Sequence, residues 1–284
     1  MIDPHHHLWD LSRYRYPWLE ALPSAHDYLV EDYLADTRNQ ELVKSVHLQA
    51  EIEPGQAVAE TEWLQGIADA RGIPNGIVAW APLQEGAAVQ PMLEQHARHR
   101  NFRGIRQLLN WDPDPARSQC DRPDYLTDAS WRAGYALLRN YDASYDLQVF
   151  PFQMADAARL AGDYPDVPMI VNHTGMPRDR DPAGLEVWRQ GLRQLAERSN
   201  VSVKISGLGM SEPNWTADSI RPLVLETIDI FGTDRSMFAS NFPVDKAWST
   251  FDQLYDAFKT ITAGFSDGER RAMFHDNAER IYRI

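Results

Sequence analysis

Strand-like segments recur eight times along this chain, and their average spacing limits the possible folds more than any other feature. The first and last of eight short β-branched or apolar runs begin about 235 residues apart. The seven intervals average about 34 residues, the length of one strand, one helix and two loops. Eight such units predict the α/β class and a single-domain (β/α)8 TIM barrel over residues 1–284. The runs begin at Ile2, Val43, Gly76, Phe102, Leu147, Met169, Val201 and Met237.

The segments between these runs change to helical spacing. Val58, Leu64 and Ile67 follow this spacing before Gly72, a residue that suits the end of a helix. Segments 13–33 and 112–128 are predicted to be loops over the barrel mouth. A doubly wound open sheet is the competing architecture, but it favours a phosphate-binding glycine fingerprint near the first strand, which this sequence lacks. Further helices are predicted near 89–99, 131–141, 154–161, 185–198, 220–231, 251–261 and 269–282.

The charge balance and the cysteine content exclude several classes of protein. The chain has 41 acidic and 28 basic residues and a formal net charge of -13, which opposes binding to nucleic acid and to anionic membranes. Its single cysteine, Cys120, excludes an internal disulfide and a multi-thiolate metal site. The start of the sequence does not have the pattern of a signal peptide. We therefore predict a cytoplasmic protein that acts on a small-molecule substrate, with homo-oligomer formation left open.

Three histidines are predicted to meet at one end of the barrel. Side chains alternate along a strand, so His5 and His7 share one face of the first strand and His6 takes the other. Two imidazoles on one strand can hold a divalent metal or bind a polar substrate. His173 follows the sixth strand, at the end of the barrel where active sites of this fold lie, so we predict a catalytic role for it.

Polar residues also alternate along the second strand. His47, Gln49 and Glu51 alternate with Val46, Leu48 and Ala50. The helix-facing side of a barrel strand is apolar, so we expect the polar residues to point inward. Glu51 would then reach the rim as a metal ligand or general base. His47, one step deeper, would bind substrate or serve as a hydrogen-bonded core histidine.

Two cations complete the candidate residues. Lys204 alternates with the apolar residues of the seventh strand, which predicts an ammonium inside the barrel. Because an unpaired buried lysine is costly, Lys204 needs a carboxylate or a substrate as its partner. Arg106 ends the fourth strand, and its planar guanidinium suits a carboxylate or the oxygens of a lactone. A salt bridge at the rim is the alternative for Arg106.

Four motifs together resemble the amidohydrolase superfamily. They are DPHHHLWD at 3–10, GIRQ at 104–107, NHTGMP at 172–177 and SNFPVD at 240–245. They most resemble its branch of TIM-barrel metal-dependent hydrolases, which includes sugar lactonases and 2-pyrone-4,6-dicarboxylate lactonase. The resemblance implies that His5, His7, His173 and the residue that closes the eighth strand surround the reacting carbonyl. It also implies either one divalent metal, zinc or manganese, at His5 and His7 or a metal-independent mechanism.

The eighth strand departs from the family pattern. The family's aspartate, which takes a proton from the attacking water, falls here on Asn241, and an amide cannot act as a general base. Either Asp245 or Glu51 must then supply the carboxylate. Asn241 would orient a water molecule or donate a hydrogen bond to an oxyanion.

These residues predict a hydrolase that opens a small polar lactone through attack of an activated water on the ester carbonyl. The lactone would derive from a sugar acid or carry a carboxylate, which Arg106, Lys204 and His47 would bind. Two alternatives stay open within the same superfamily, a metal-dependent decarboxylase and a lactone isomerase. Because of Asn241, a non-catalytic barrel that binds a ligand is a third alternative.

Overall fold

Eight parallel strands form one barrel whose order follows the sequence from the first strand to the eighth. The computed structural model describes residues 1–23 and 25–284. The ring closes between its first and last strands, where the His7 amide donates to Phe242 O over 2.7 Å and the Asn241 amide donates to His5 O over 2.8 Å. The predicted TIM-barrel fold is confirmed. The strands are β1 Ile2–His6, β2 Lys44–Leu48, β3 Gly76–Ala79, β4 Phe102–Ile105, β5 Ser144–Leu147, β6 Met169–Val171, β7 Val201–Ile205 and β8 Ser236–Phe238.

Helices surround the barrel where the periodicity predicts them. Gly72, with a φ of 80°, ends α3 as expected. The predicted helix at 269–282 is divided by a π-helical turn at Ala272–Asp276. Within the described ranges, no helix is both long and apolar enough to cross a bilayer. The helices are α1 Pro17–Glu20, α2 Val30–Thr37, α3 Ala57–Arg71, α4 Gln90–Ala97, α5 Ala129–Ala136, α6 Met154–Asp163, α7 Pro182–Ala196, α8 Ala217–Phe231, α9 Phe251–Ile261, α10 Asp267–Arg271 and α11 Asn277–Tyr282.

Strand β5 begins earlier than its apolar run predicts. The run starts at Leu147, whereas β5 covers Ser144–Leu147. Two of its residues make specific contacts. The ring of Tyr145 packs against that of Trp131 with centroids 5.5 Å apart, and the buried Asp146 forms an ion pair with Lys204. A strand with a polar interior side therefore carries too weak an apolar signal to be located by that signal alone.

The barrel interior near the strand starts contains an apolar cluster. Ile2, Val46, Ile170 and Met237 form one buried cluster, and Tyr282 of α11 joins it. Helix α11 therefore covers the end of the barrel at which the strands begin. The buried pair of Lys204 and Asp146 lies in the same layer, since Lys204 is in register with Met237 and Asp146 with Ile170.

The side chains of β2 do not follow the predicted orientation. Val46 and Leu48 belong to the interior cluster, and Leu48 is in register with Val78 of β3. His47 therefore faces the helices, and the prediction that it points inward is wrong. A period of two identifies two faces of a strand but not which is interior, and here the interior is apolar at this depth.

An irregularity in β1 sets the direction of its histidines. The pairing of β1 with β2 shifts register between Asp3 and His6. Such irregularities redirect side chains near functional sites. His6 stacks on Tyr33 of α2 with ring centroids 4.0 Å apart, whereas His5 and His7 point to the inside of the barrel.

Candidate active site

The strand ends surround a cavity of about 200 Å³ at the mouth of the barrel. Polar residues one to three positions beyond the ends of β1, β2, β4, β5, β6 and β8 line it. Segment 13–33, predicted as a loop, contains α1 and the start of α2, and it contributes Trp18 from α1. Segment 112–128 contributes Gln119, and both segments lie at the mouth as predicted. The full lining is His7, Trp18, Ala50, Glu51, Arg106, Leu108, Gln119, Gln148, His173, Met210, Asn241 and Val244.

The structure brings three of the predicted histidines together. The ring of His5 lies 5.0 Å from that of His7 and 4.5 Å from that of His173, measured between centroids. Burial lowers the pKa of all three well below 6.5, and neighbouring cationic groups lower it further. The imidazoles are therefore neutral near pH 7 and have lone pairs with which to accept hydrogen bonds.

His7 and Asn241 present two acceptor atoms to the same point. The Nδ1 of His7 donates to Leu48 O over 2.8 Å, so its Nε2 carries a lone pair. This Nε2 lies 3.3 Å from Asn241 Oδ1, which is also an acceptor. The Asn241 amide is fixed in this orientation because its Nδ2 donates to Asp245 Oδ1 over 3.2 Å.

Asp245 lies behind Asn241 and is not among the described residues that line the cavity. Burial raises the pKa of Asp245 to about 7. The hydrogen bond from Asn241 acts in the opposite direction and lowers this pKa. Asp245 thus contacts the Asn241 amide, and its predicted role as the general base stays a prediction.

Arg106 is a buried cation at the cavity wall. Its Nη1 donates to His5 Nε2 and to Gln148 Oε1, each over 3.4 Å, and its Nη2 donates to Gln49 O. None of the described carboxylates lies within ion-pair distance of it, and its Nε has no hydrogen-bond partner among the described residues. A guanidinium without an ion-pair partner, next to a cavity, is suited to a carbonyl oxygen or a carboxylate.

Glu51 supplies the carboxylate of the cavity wall. Gln49 Nε2 donates to its Oε1 over 2.5 Å. Burial raises the pKa of Glu51, while the Gln49 hydrogen bond and the Arg106 charge act in the opposite direction. A carboxylate with a raised pKa is a stronger base than an exposed one, as general-base catalysis requires.

Three cavity residues share an unusual backbone conformation. The φ angles are 56° at Glu51, 53° at His173 and 58° at Asn241. Non-glycine residues rarely adopt this left-handed region, which costs about 1–2 kcal/mol each. Such strain is concentrated at functional sites, where a side chain must point in a direction that regular structure does not allow.

Two predicted substrate-binding residues lie away from the cavity. Lys204 is fully buried, and its Nζ pairs with Asp146 Oδ1 at 2.6 Å. Asp146 Oδ1 also accepts from Tyr282 OH over 2.8 Å, and burial lowers the pKa of Lys204 to about 8. His47, on the outer face, has its Nε2 3.3 Å from Leu8 O. The structure thus gives both residues partners within the protein.

Sequence reasoning missed Gln148 and Asp146. Gln148 lines the cavity and contacts Arg106, and Asp146 pairs with Lys204. Gln148 could have been identified as a candidate because it is a polar residue inside the otherwise apolar run 147–150. Asp146 precedes that run, and its only signal was the need of Lys204 for a carboxylate.

A second buried carboxyl group lies behind the cavity wall. Glu60 of α3 is buried, and the hydroxyl of Tyr16 donates to its Oε1 over 2.9 Å. Burial raises the pKa of Glu60 to about 8, whereas the hydrogen bond from Tyr16 and the charge of Arg106 lower it. Glu60 is therefore largely protonated at neutral pH.

Glu60→Gln is expected to stabilise the protein at alkaline pH. The pKa of Glu60 is raised in the folded state, so folding retains a proton that the unfolded chain releases, and stability falls as pH rises from 4.5 to about 8. Glutamine does not titrate, so the variant should not lose stability over this pH range. Thermal unfolding at pH 8.5 should show the variant about 3 °C or more above the wild type, with the difference disappearing near pH 4.5. Exposed Glu62→Gln is the control; equal shifts in both variants would contradict the assignment.

Among the described residues of the cavity, no three His, Cys, Asp or Glu ligand atoms lie within 4.8 Å of one another, so the cavity does not form a three-ligand metal site as it stands. Protein zinc sites take three or four ligands at one point. His7 Nε2 and Asn241 Oδ1 supply two, but the lone pair of His5 Nε2 accepts from Arg106, whose positive charge opposes a nearby dication. The metal predicted at His5 and His7 therefore stays a prediction.

One group of three possible ligands lies at the other end of the barrel. In the part of the chain that the structure describes, His, Cys, Asp or Glu ligand atoms come within 4.8 Å of one another in threes only at His275, Asp276 and Glu279. Lys44 pairs with Glu279 and Arg271 with Asp276. The carboxylates of this group are thus already neutralised by cations.

Known proteins resemble the chain over its whole length. It matches the family model described as "Amidohydrolase" over residues 2–284. It is 49% identical over 294 residues to an uncharacterized protein, y4mH, of Sinorhizobium fredii, covering 100% of this chain and 98% of that protein. It is 28% identical over 300 residues to the L-fucono-1,5-lactonase of Burkholderia multivorans, covering 100% of this chain and 96% of the lactonase.

A solved structure shares both the fold and part of the sequence. It is the crystal structure of an amidohydrolase from Burkholderia multivorans with bound zinc. The chain is 27% identical to it with a TM-score of 0.85, and the match covers 100% of this chain and 99% of that one. Relatives of the chain thus include a protein that binds a divalent metal.

Proposed function

This chain belongs to the amidohydrolase family, as its motifs predict, and we propose that it is a hydrolase that opens a small polar lactone, derived from a sugar acid or carrying a carboxylate. The observation that carries the proposal is the cavity wall. It combines a carboxylate, Glu51, a cation without an ion-pair partner, Arg106, and the acceptor pair of His7 and Asn241. Lactone hydrolysis needs a base, an oxyanion partner and an oriented water. The similarity to an L-fucono-1,5-lactonase supports the same class of reaction.

His7 and Asn241 would orient the attacking water. A water molecule on the cavity side of this pair would donate one hydrogen to His7 Nε2 or Asn241 Oδ1 and its other hydrogen to Glu51, which also lines the cavity. Its lone pairs then face the cavity, where the lactone carbonyl is bound. Asn241 thus has a role that an amide can perform. Asp245 supports that role by holding the Nδ2 side of the amide.

Glu51 and Arg106 would carry out the proton and charge transfers. The water oxygen bonds to the carbonyl carbon while Glu51 takes one of its protons, and the Arg106 guanidinium stabilises the resulting oxyanion. The ring C–O bond then breaks, and the protonated Glu51 returns its proton to the leaving alkoxide. The product is a hydroxy acid, which releases one proton at neutral pH. His173, a neutral imidazole at the same cavity, would donate a hydrogen bond to the substrate.

A lactone panel tests the proposal. We expect acid release, followed in a pH-stat, from at least one sugar-acid or carboxylated lactone, and the same rate after dialysis against a chelator, because none of these steps uses a metal. Carbon dioxide release or isomerisation without acid would instead support a decarboxylase or an isomerase. Thermal stabilisation by a lactone without any turnover would support a non-catalytic barrel. A chelator-sensitive rate that zinc or manganese restores would overturn the metal-independent mechanism.

A further inference from the structure

An apolar groove of about 470 Å³ adjoins the catalytic cavity. We call it the tryptophan groove, and its main walls are Trp9, Trp18, Leu19, Pro243, Val244 and Trp248. Trp18 and Val244 line both the groove and the cavity. A molecule whose reacting group occupies the cavity can therefore extend directly into the groove.

Two of the indole nitrogens of the groove and its lysine have partners in the protein. Trp9 Nε1 donates to His26 O over 2.8 Å, and Trp18 Nε1 donates to Ala50 O over 2.7 Å. The Nζ of Lys246 pairs with Asp36 at 2.7 Å. The indoles therefore present carbon faces to an occupant, and hydroxyl groups buried there would lose their hydrogen bonds to water without replacement.

Large apolar side chains remain exposed along the groove. Trp18 is 37% exposed and Leu22 is 45% exposed. Exposed apolar surface gathered next to a cavity is typical of a binding site. A hydrocarbon would displace water from these faces without burying any group that needs a hydrogen bond.

We propose that the lactone bears an alkyl or aryl substituent that lies in the tryptophan groove while its polar ring lies in the cavity. This inference rests on the proposed function and narrows the substrate to an amphipathic lactone. Each methylene that enters the groove should improve binding about threefold to fourfold.

The test uses δ-lactones with alkyl substituents of one to seven carbons, together with the hydroxycarboxylates that form when they open. For the wild-type protein, kcat/KM should rise about threefold to fourfold per methylene, through KM, until the groove is full. The Kd of the hydroxycarboxylates, measured by calorimetry, should fall by the same factor. Ala247 and Leu22 also line the groove. Ala247→Phe, which fills the groove, and Leu22→Asp, which places a charge in it, should abolish this dependence on chain length.

Val43→Asp is the matched control, because Val43 is 58% exposed and precedes β2 at the opposite end of the barrel. It should retain the wild-type dependence. Equal chain-length dependence in all variants, or none in the wild type, would overturn the groove assignment. If no lactone is opened but the hydroxycarboxylates bind with the expected dependence, the proposed function fails and the groove assignment stands. If lactones are opened without that dependence, the proposed function stands and the groove assignment fails.

Discussion

Glu51→Gln should lower kcat for lactone opening by about 10²–10⁴-fold, the usual contribution of a general base. Glutamine keeps the size of the side chain and can still accept from Gln49, whose Nε2 contacts Glu51 Oε1 at 2.5 Å. It cannot take a proton from water. We therefore expect the loss in kcat with little change in KM, measured by initial rates over a range of lactone concentrations.

The pH profile distinguishes the loss of a base from a structural effect. Burial raises the pKa of Glu51 above its ordinary 4.5, so kcat/KM of the wild type should fall on the acid side with a midpoint above 4.5. Glu51 becomes protonated as pH decreases through that midpoint and can no longer act as a base. The acid limb of the profile, meaning this fall in kcat/KM at low pH, should therefore disappear in Glu51→Gln. Glu53→Gln, two residues further on and partly exposed in an ion pair with Arg15, should keep both the rate and the limb. An unchanged limb in Glu51→Gln would assign the base to another group.

The sequence predicted the fold well because the fold depends on a long-range repeat. Eight apolar runs separated by helix-length segments need only be counted, and an error of a few residues in one strand, as in β5, leaves the count unchanged. The C-terminal positions of Glu51, Arg106 and His173 followed from the same count, since strand ends meet at one mouth of a barrel.

The orientation of individual side chains was less predictable. His47 faces the helices because the interior of β2 is apolar at that depth, which alternation alone does not reveal. Glu51 reaches the cavity through a left-handed residue beyond the end of β2, where alternation no longer applies. Asn241 obtains its orientation from Asp245, a contact between two residues of one loop that motif comparison treats as separate positions.

Lys204→Met should destabilise the fold by about 3–5 kcal/mol, because it leaves Asp146 as a buried carboxylate without its cation. The pair is fully buried with Nζ and Oδ1 2.6 Å apart, whereas Tyr282 and Asn172 supply only neutral donors to Asp146. Urea unfolding measures the loss. Lys259→Met is the control, since Lys259 is 42% exposed and its pair with Asp256 spans 3.9 Å, so its removal should cost about 1 kcal/mol or less.

The double variant Lys204→Met with Asp146→Asn separates a structural ion pair from a substrate-binding lysine. If the pair is structural, removing both charges should recover about 1–3 kcal/mol relative to the sum of the single variants, because no uncompensated charge stays buried. KM for the lactone should then stay near the wild-type value at a temperature where the variants are folded. A lysine that binds substrate would give a raised KM in both variants that contain Lys204→Met, with additive unfolding energies. The enclosure of Lys204 by Asp146 and the apolar end of the barrel favours the first result.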